Sequence, residues 1–170
     1  MVIEFARNVL GLLEAHSTEI KKETPEPIIS LLSEQMTVEN LGGTMRLGSY
    51  PCELRTDSLS FEAYGVKEIF ERHRHRYEFN NNYKNSCEEN GLKIVGINKE
   101  RNLCEIVEIQ DHPWMLGVQF HPEFQSKPTA PHPLFKSFIK ASLDQGSCEK
   151  KSSASIMGKN VSDLPQPIPS

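Results

Sequence analysis

The apolar residues near both ends of the chain recur with helical spacing. Near the start they recur every three or four residues from Val2 to Leu13, and near the end they do so from Leu134 to Leu143. No capping residue precedes the first stripe, although the first N–H groups of a helix need hydrogen-bond partners. The pattern predicts an amphipathic helix at each end. The first helix either frays at its start or begins inside a larger fold.

Short apolar runs separated by polar turns fill the middle of the chain and predict strands. They cover residues 28–32, 92–97, 103–109 and 114–120, and a strand near 46–54 and an extended segment around a basic core over 69–79 are also predicted. The polar stretch 98–102 between two of these runs is typical of a hairpin. Weaker helical patterns cover residues 58–64 and 80–90, and Gly91 suits the left-handed residue that ends a helix. Strands mixed with helices at both ends predict an α/β or α+β domain.

Apolar residues become rare after residue 144, where Ser, Lys and Pro dominate. This composition predicts one folded domain over residues 1–143, followed by a disordered tail over residues 144–170. A single domain also fits a total length of 170 residues.

Charge and composition argue against several classes of protein. The chain has 19 basic and 23 acidic residues, a net charge of −4, which disfavours binding to a nucleic-acid backbone. No run approaches the roughly 20 apolar residues of a membrane-spanning helix, and no secretory signal pattern opens the chain. The four cysteines lie far apart without a CxxC pair, which is typical of free thiols in an unsecreted protein. We therefore predict a cytoplasmic protein with neither a nucleic-acid nor a membrane partner.

Residues 72–76 read Arg-His-Arg-His-Arg, and in an extended segment their side chains alternate between two faces. The string is compatible with a strip that binds nucleic acid, or with an arginine that clamps a substrate carboxylate. It is also compatible with a strand whose arginines pair with Glu71 and Glu78. A metal site at His73 and His75 would need a third ligand, and no other Cys or His lies nearby in the sequence. We therefore predict no metal site.

His121 and Glu123 directly follow the apolar run 114–120, in the string Phe-His-Pro-Glu-Phe. At the end of a buried strand, a carboxylate can accept a hydrogen bond from one imidazole nitrogen while the other nitrogen faces a nucleophile. Folds of the α/β class commonly build their sites at such strand ends. The spacing therefore indicates His121 as a general base and Glu123 as the acid that orients it.

No nucleophile with a suitable local sequence accompanies this pair. Such a nucleophile lies on a tight strand-to-helix turn between glycines, and neither Gly-x-Cys-x-Gly nor Gly-x-Ser-x-Gly occurs in the 170 residues. The cysteines are Cys52, Cys87, Cys104 and Cys148, and none has such a turn around it. The nucleophilic residue is therefore predicted to be absent.

Four strings carry a family resemblance. They are Ser-Thr-Glu at 17–19, Leu-Gly-Gly-Thr-Met-Arg-Leu-Gly at 41–48, Glu-Arg-His-Arg-His-Arg-Tyr-Glu at 71–78, and residues 112–124, which end in Gly-Val-Gln-Phe-His-Pro-Glu-Phe. In this order and spacing they resemble the C-terminal glutaminase domain of CTP synthase, a class I glutamine amidotransferase. The second and third strings are highly specific, whereas other class I amidotransferases share the final His-Pro-Glu.

The resemblance implies an α/β fold, the open sheet with flanking helices of class I glutamine amidotransferases, here with its N-terminal portion missing. It also implies a Cys–His–Glu triad that hydrolyses L-glutamine, in which His121 matches the base and Glu123 the orienting acid. Glu19 and Arg76 match the glutamine-contacting residues of the family. Their charges suit the α-amino and α-carboxylate groups of an amino acid.

In this family, ammonia from glutamine passes to a synthetase domain, which converts UTP to CTP with ATP and Mg²⁺. The resemblance therefore implies a synthetase-domain partner and a homo-oligomeric parent enzyme, and no cofactor bound by this chain itself. The family's nucleophile lies in a Gly-x-Cys-Leu-Gly turn just before the opening helix, so the chain is predicted to be truncated after that turn and inactive alone. The alternative is a non-catalytic regulatory or binding protein on the same fold.

Overall fold

The computed structural model describes residues 1–31 and 45–157, with side chains described as far as residue 147. Within these residues the α-helices are α1 (Val2–Asn8), α2 (Leu59–Tyr64), α3 (Lys84–Glu89) and α4 (Pro133–Met157), and 3₁₀ helices cover Asn81–Tyr83 and Pro122–Phe124. The strands are β1 (Ala15–Ser17), β2 (Glu26–Leu31), β3 (Arg46–Leu54), β4 (Glu68–His75), β5 (Tyr77–Phe79), β6 (Leu92–Asn98), β7 (Leu103–Ile109) and β8 (Leu116–Val118). The predicted strand at 46–54 and the hairpin around 98–102 are confirmed.

The described strands form two sheets. A three-stranded sheet has the order β1-β2-β5, and a five-stranded sheet has the order β4-β3-β6-β7-β8. β1 runs parallel to β2, and the other neighbours are antiparallel. The carboxyl ends of β1 and β2 therefore meet the start of β5 at one edge of the smaller sheet. One mixed and one antiparallel sheet, with flanking helices, confirm the α/β fold class.

Alternating side chains of β6 and β7 separate two hydrophobic cores. Ile94 and Val107 belong to the core beneath α1, whereas Val95 and Ile106 belong to the core that includes the start of α4. Because neighbouring side chains of a strand point to opposite faces, both faces of the larger sheet are covered here. This explains why β7 is a nearly continuous buried run rather than an alternating one.

Helix α1 ends at Asn8, before the apolar stripe does. Gly11 has a positive φ of 72°, a left-handed conformation that does not continue a helix. Leu10 and Leu12 still pack against the core beneath α1, but Val9 and Leu13 are exposed and find no surface that would stabilise a further helical turn. The predicted helix is therefore wrong beyond Asn8.

Helix α4 continues to Met157, past residue 143, where the sequence places the end of the folded domain. No proline interrupts residues 144–157, which explains why a helix can continue there. Residues 158–170 lie outside the described residues, as do residues 41–44 of the second family string. Across the described ranges, no helix combines the length and apolar character needed to cross a bilayer.

Candidate active site

The segment that carries His121 is tied to the larger sheet. Phe120 just before it is buried, and the backbone N–H of His121 donates to the Arg72 carbonyl of β4 over 2.9 Å. The 3₁₀ helix Pro122–Phe124 follows at once and turns Glu123 back toward the imidazole. His121 Nδ1 lies 2.7 Å from Glu123 Oε1, a hydrogen-bond distance. The contact expected from the His-Pro-Glu spacing is therefore present.

Glu123 fixes the tautomer of His121. Because an ionised carboxylate only accepts, Nδ1 carries the proton and Nε2 presents a lone pair. The hydrogen bond from His121 lowers the pKa of Glu123 below its usual range, which keeps the carboxylate ionised near neutral pH. The ring of Phe124 stacks on the imidazole at 4.8 Å. Nothing among the described residues hydrogen-bonds Nε2, so a group that approaches this nitrogen can give it a proton.

Glu19 and Arg76 lie at the same edge of the three-stranded sheet. Glu19 follows the end of β1 by two residues, and Arg76 immediately precedes β5. β2 lies between these strands, so two strand spacings, about 10 Å in total, separate them. Glu19 is exposed and Arg76 is partly buried. The fold thus brings an acidic and a basic side chain to one edge, as the recognition of a free amino acid would need.

The string 72–76 alternates over β4 as expected. Arg72 and Arg74 are exposed, whereas His73 is buried. Arg76 lies in the bend after β4 and is only partly exposed.

The arginines exposed on β4 do not pair with the neighbouring carboxylates in the described structure. Glu71 instead accepts from the Tyr64 hydroxyl over 2.7 Å, from Gln125 Nε2 over 2.6 Å and from His132 Nε2 over 2.9 Å. These three donors come from α2 and from the chain between the Pro122–Phe124 helix and α4. For the two exposed arginines, the interpretation as partners of the adjacent carboxylates is therefore wrong.

Arg46 is a buried cation beside the site. The sequence patterns do not indicate it as a functional residue. Arg46 is 1% exposed, and its Nη2 lies 2.7 Å from Glu105 Oε1 while Nη1 lies 3.3 Å from Glu78 Oε1. Gln119, two residues before the candidate base, donates to Glu78 Oε2 over 2.8 Å. The sequence does hold a signal for this cluster, since a carboxylate inside the apolar strand β7 needs a buried partner.

His73 and His75 contact each other rather than a metal-binding group. Their Nδ1 and Nε2 atoms lie 2.8 Å apart. Burial and the Arg46 charge lower the pKa of His73 to about 3 and that of His75 to about 4, so both rings are neutral near pH 7. In residues 1–31 and 45–147, no three His, Cys, Asp or Glu side chains are arranged to hold a metal ion.

The described cysteines do not have the properties of a nucleophile. Cys52, Cys87 and Cys104 are buried. Burial raises the pKa of all three thiols, that of Cys87 to about 11. A reactive cysteine needs the opposite, an accessible and stabilised thiolate. The side chain of Cys148 lies outside the described residues.

The chain is similar in sequence to proteins of known family. The family model described as glutamine amidotransferase class-I matches residues 1–141. The CTP synthase of Protochlamydia amoebophila is 59% identical over 143 residues, which are 84% of this chain and 26% of that protein. The CTP synthase of Bacillus velezensis is 60% identical over 141 residues, 83% of this chain and 26% of that protein. The chain therefore spans about a quarter of the length of these relatives.

A solved structure gives the same picture at the level of the fold. The Trypanosoma brucei CTPS glutaminase domain with bound acivicin matches with a TM-score of 0.77 and 33% sequence identity. The match covers 84% of this chain and 56% of that one.

Proposed function

Because the chain belongs to the class-I glutamine amidotransferase family, we propose that it carries the catalytic base and the glutamine-binding residues of the glutaminase half of a CTP synthase. One observation carries the proposal. His121 Nδ1 lies 2.7 Å from Glu123 Oε1, which leaves Nε2 with a lone pair and no partner among the described residues. Identities of 59% and 60% to two CTP synthases support it.

The proposed reaction is hydrolysis of the side-chain amide of L-glutamine. His121 Nε2 removes the proton of a cysteine thiol, and the sulfur attacks the amide carbon. The C–N bond breaks as His121 returns the proton to the leaving nitrogen, which departs as ammonia. Water, activated by the same imidazole, then splits the thioester into glutamate and free thiol. Glu123 stabilises the imidazolium that forms in each half of the reaction.

The glutamine itself would be held at the edge of the three-stranded sheet. The Glu19 carboxylate accepts from the α-ammonium group, and the Arg76 guanidinium donates two parallel hydrogen bonds to the α-carboxylate. The positions of both residues at one sheet edge support this assignment.

We further propose that the thiol is supplied from outside the 170 residues, so that the chain alone does not hydrolyse glutamine. The sequence has no Gly-x-Cys-x-Gly turn, and the described thiols are buried with raised pKa values. None of them hydrogen-bonds His121. A positioned oxyanion hole alone commonly contributes ~10²–10³ in rate, so its loss together with the thiol leaves an unactivated amide almost inert.

In the parent enzyme, the ammonia would pass to a synthetase domain that converts UTP to CTP with ATP and Mg²⁺. These cofactors would bind there and not to this chain. A homo-oligomeric parent enzyme and a cytoplasmic location are part of the same proposal.

The first test uses the purified chain and two assays, glutamate release from glutamine and labelling by a glutamine-like electrophile that traps catalytic cysteines. We expect neither release nor labelling. Release that disappears in a His121→Ala variant, together with labelling of one of the four cysteines, would show that a thiol of this chain reaches the site.

The second test supplies a nucleophilic thiol and a synthetase domain from a relative. In a chimera, this chain replaces the matching region of Bacillus velezensis CTP synthase, and CTP formation is measured with glutamine and with free ammonia as nitrogen source. We expect activity with both, and loss of only the glutamine reaction in the Glu123→Ala variant. The Glu100→Gln variant, in an exposed turn, is the matched control. A chimera that uses ammonia but never glutamine would instead favour a non-catalytic protein on this fold.

A further inference from the structure

The turn that carries Glu123 is attached to the edge of the larger sheet at two points. Among the described strands, β4 has only β3 as a neighbour, so its other edge is open to the rest of the chain. The backbone N–H of His121 donates to the Arg72 carbonyl over 2.9 Å, and Gln125 Nε2 donates to the Phe70 carbonyl over 2.9 Å. Alternate carbonyls of a strand point to the same edge about 7 Å apart, so the two donors lie along one edge of β4.

The second attachment also includes a buried carboxylate. Gln125 Nε2 donates to Glu71 Oε2 over 2.6 Å, so both protons of the side-chain amide are used. The other oxygen of Glu71, Oε1, accepts from the Tyr64 hydroxyl over 2.7 Å and from His132 Nε2 over 2.9 Å. Glu71 and His132 are both buried. These contacts hold the carboxylate in place, so Oε2 is a fixed acceptor for the amide of Gln125.

Glu123 lies between the two points of attachment. The 3₁₀ helix Pro122–Phe124 connects them, and the backbone N–H of Gln125 donates to the Pro122 carbonyl over 3.1 Å, which closes the turn. The side chains of His121 and Glu123 are 38% and 57% exposed, so packing does little to fix either of them. The position of the turn on β4 therefore decides how the Glu123 carboxylate meets the imidazole.

The contact between Glu123 and His121 determines which imidazole nitrogen carries the proton. While Glu123 Oε1 accepts at 2.7 Å, the proton stays on Nδ1 and Nε2 keeps its lone pair. A carboxylate displaced by about 1 Å no longer makes this hydrogen bond, and the neutral imidazole then carries its proton on either nitrogen. A proton on Nε2 removes the lone pair that a general base needs. A fixed turn therefore keeps His121 in the tautomer that can act as a base.

We propose that Gln125 is a positioning residue for the candidate base. Its amide holds the Pro122–Phe124 turn against β4 and thereby keeps Glu123 on His121 Nδ1. In this role Gln125 acts through Glu123 and not by contact with glutamine. The consequence for catalysis rests on the proposed function, whereas the effect of Gln125 on the contact between His121 and Glu123 does not.

Three substitutions separate this role from a contribution to stability alone. Gln125→Met keeps the approximate size of the side chain and removes both donors. Gln125→Glu keeps its shape but directs an acceptor at the Glu71 carboxylate and the Phe70 carbonyl. Gln110→Met is the matched control, because Gln110 is also exposed and its side chain makes no hydrogen bond among the described residues.

The first measurement is NMR of the full chain with ¹⁵N-labelled histidine at pH 8, where an ordinary imidazole is neutral. The His121 signals are assigned by their loss in His121→Ala. In the wild type we expect a protonated Nδ1 and an unprotonated Nε2. In Gln125→Met and Gln125→Glu the two nitrogen shifts should approach each other, as they do in a mixture of tautomers. Gln110→Met should keep the wild-type shifts.

The second measurement uses the chimera with Bacillus velezensis CTP synthase. We expect Gln125→Met to lower kcat with glutamine about tenfold, because the base and its carboxylate are then in the productive geometry for only part of the time. KM for glutamine and the reaction with ammonia should not change, since neither depends on the tautomer of His121. Gln125→Glu should lose at least as much, and Gln110→Met should match the wild type.

Three results would overturn the proposal. They are wild-type His121 shifts in both Gln125 variants, an equal loss of activity with glutamine and with ammonia, and a Gln125→Met chain that does not fold. The last two would make Gln125 a structural residue. A chimera that never uses glutamine would contradict the proposed function instead, and the NMR shifts alone would then decide whether Gln125 positions His121 and Glu123.

Discussion

The pair His121–Glu123 has a nitrogen–oxygen distance of 2.7 Å, and the pair His132–Glu71 has one of 2.9 Å. The side chains of the first pair are 38% and 57% exposed, whereas those of the second are 2% and 4% exposed. In His132 both ring nitrogens are used, because Nδ1 accepts from the Leu134 N–H over 3.3 Å. In His121 only Nδ1 has a partner among the described residues. The nitrogen–oxygen distance does not distinguish the two histidines. The candidate base is the one whose second ring nitrogen has no hydrogen-bond partner among the described residues.

The two carboxylates differ in the same way. Glu71 accepts from three donors and joins α2, β4 and the chain before α4. Glu123 has one side-chain partner and lies at the surface. We therefore expect substitutions in the first pair to act on stability and those in the second to act on glutamine hydrolysis.

The largest effect is expected for His121→Ala in the chimera with Bacillus velezensis CTP synthase. Loss of a general base commonly costs ~10²–10⁴ in rate, and we expect a loss of this size with glutamine and none with ammonia. His132→Ala is the matched variant of the buried pair. It should lower CTP formation from both nitrogen sources to the same degree, because it acts through folding. A selective loss of the glutamine reaction in His132→Ala would contradict the comparison.

The second effect concerns the free energy of unfolding. Glu71→Leu leaves the buried His132 and the half-buried Tyr64 hydroxyl without their shared acceptor, and unsatisfied groups of this kind commonly cost about 1–3 kcal/mol each, whereas the exposed Gln125 can turn to water. We expect a loss of about 3 kcal/mol or more in urea unfolding of the chain. Glu123→Leu, the control at the exposed pair, should leave the unfolding midpoint unchanged. Equal losses in both variants would remove the distinction between the pairs.

The third prediction tests whether Arg76 binds the α-carboxylate of glutamine. Arg76→Ala in the chimera should weaken the use of glutamine about tenfold to a hundredfold, since a charge-assisted contact is commonly worth ~1.5–3 kcal/mol. The reaction with ammonia should not change, because ammonia has no carboxylate to hold. Arg74→Ala, on the exposed face of β4, is the control. Equal loss with both nitrogen sources would make Arg76 a structural residue.

The smallest effect is expected at the residue that joins the two pairs. Gln125 follows the 3₁₀ helix of Glu123 and donates to Glu71 Oε2 over 2.6 Å and to the Phe70 carbonyl over 2.9 Å. Gln125→Ala removes one of three donors to Glu71, so we expect a loss of about 1 kcal/mol in the same urea titration. A loss as large as that of Glu71→Leu would show that Gln125 alone anchors this carboxylate.

Local patterns in the sequence predicted the strands and the exposed pair well. The β6–β7 hairpin follows from two apolar runs and a polar turn, and the contact of His121 with Glu123 joins residues only two apart. The end of α1 does not follow from the sequence, because the apolar stripe continues to Leu13, although Val9 and Leu13 are exposed in the fold. Local spacing indicates an element but does not say whether the fold gives it a surface to pack on.

The buried pair His132–Glu71 and the buried contact of Arg46 with Glu105 could not be predicted from local spacing. Glu71 and His132 are 61 residues apart, and Arg46 and Glu105 are 59 residues apart. Their contacts depend on the order of strands in the sheet, which no short pattern specifies. The interpretation of the arginines of β4 as partners of Glu71 failed for the same reason. The carboxylate found its donors on other elements of the fold.

Diethyl pyrocarbonate, which acylates accessible unprotonated imidazole nitrogens, tests the difference between the two pairs most directly. The chain is treated briefly at neutral pH, and the modified histidines are identified by mass spectrometry of its peptides. The account predicts rapid modification of His121 through Nε2 and protection of His132 until the chain is unfolded in urea. Protection of His121, or modification of His132 at the same rate in the folded chain, would contradict it.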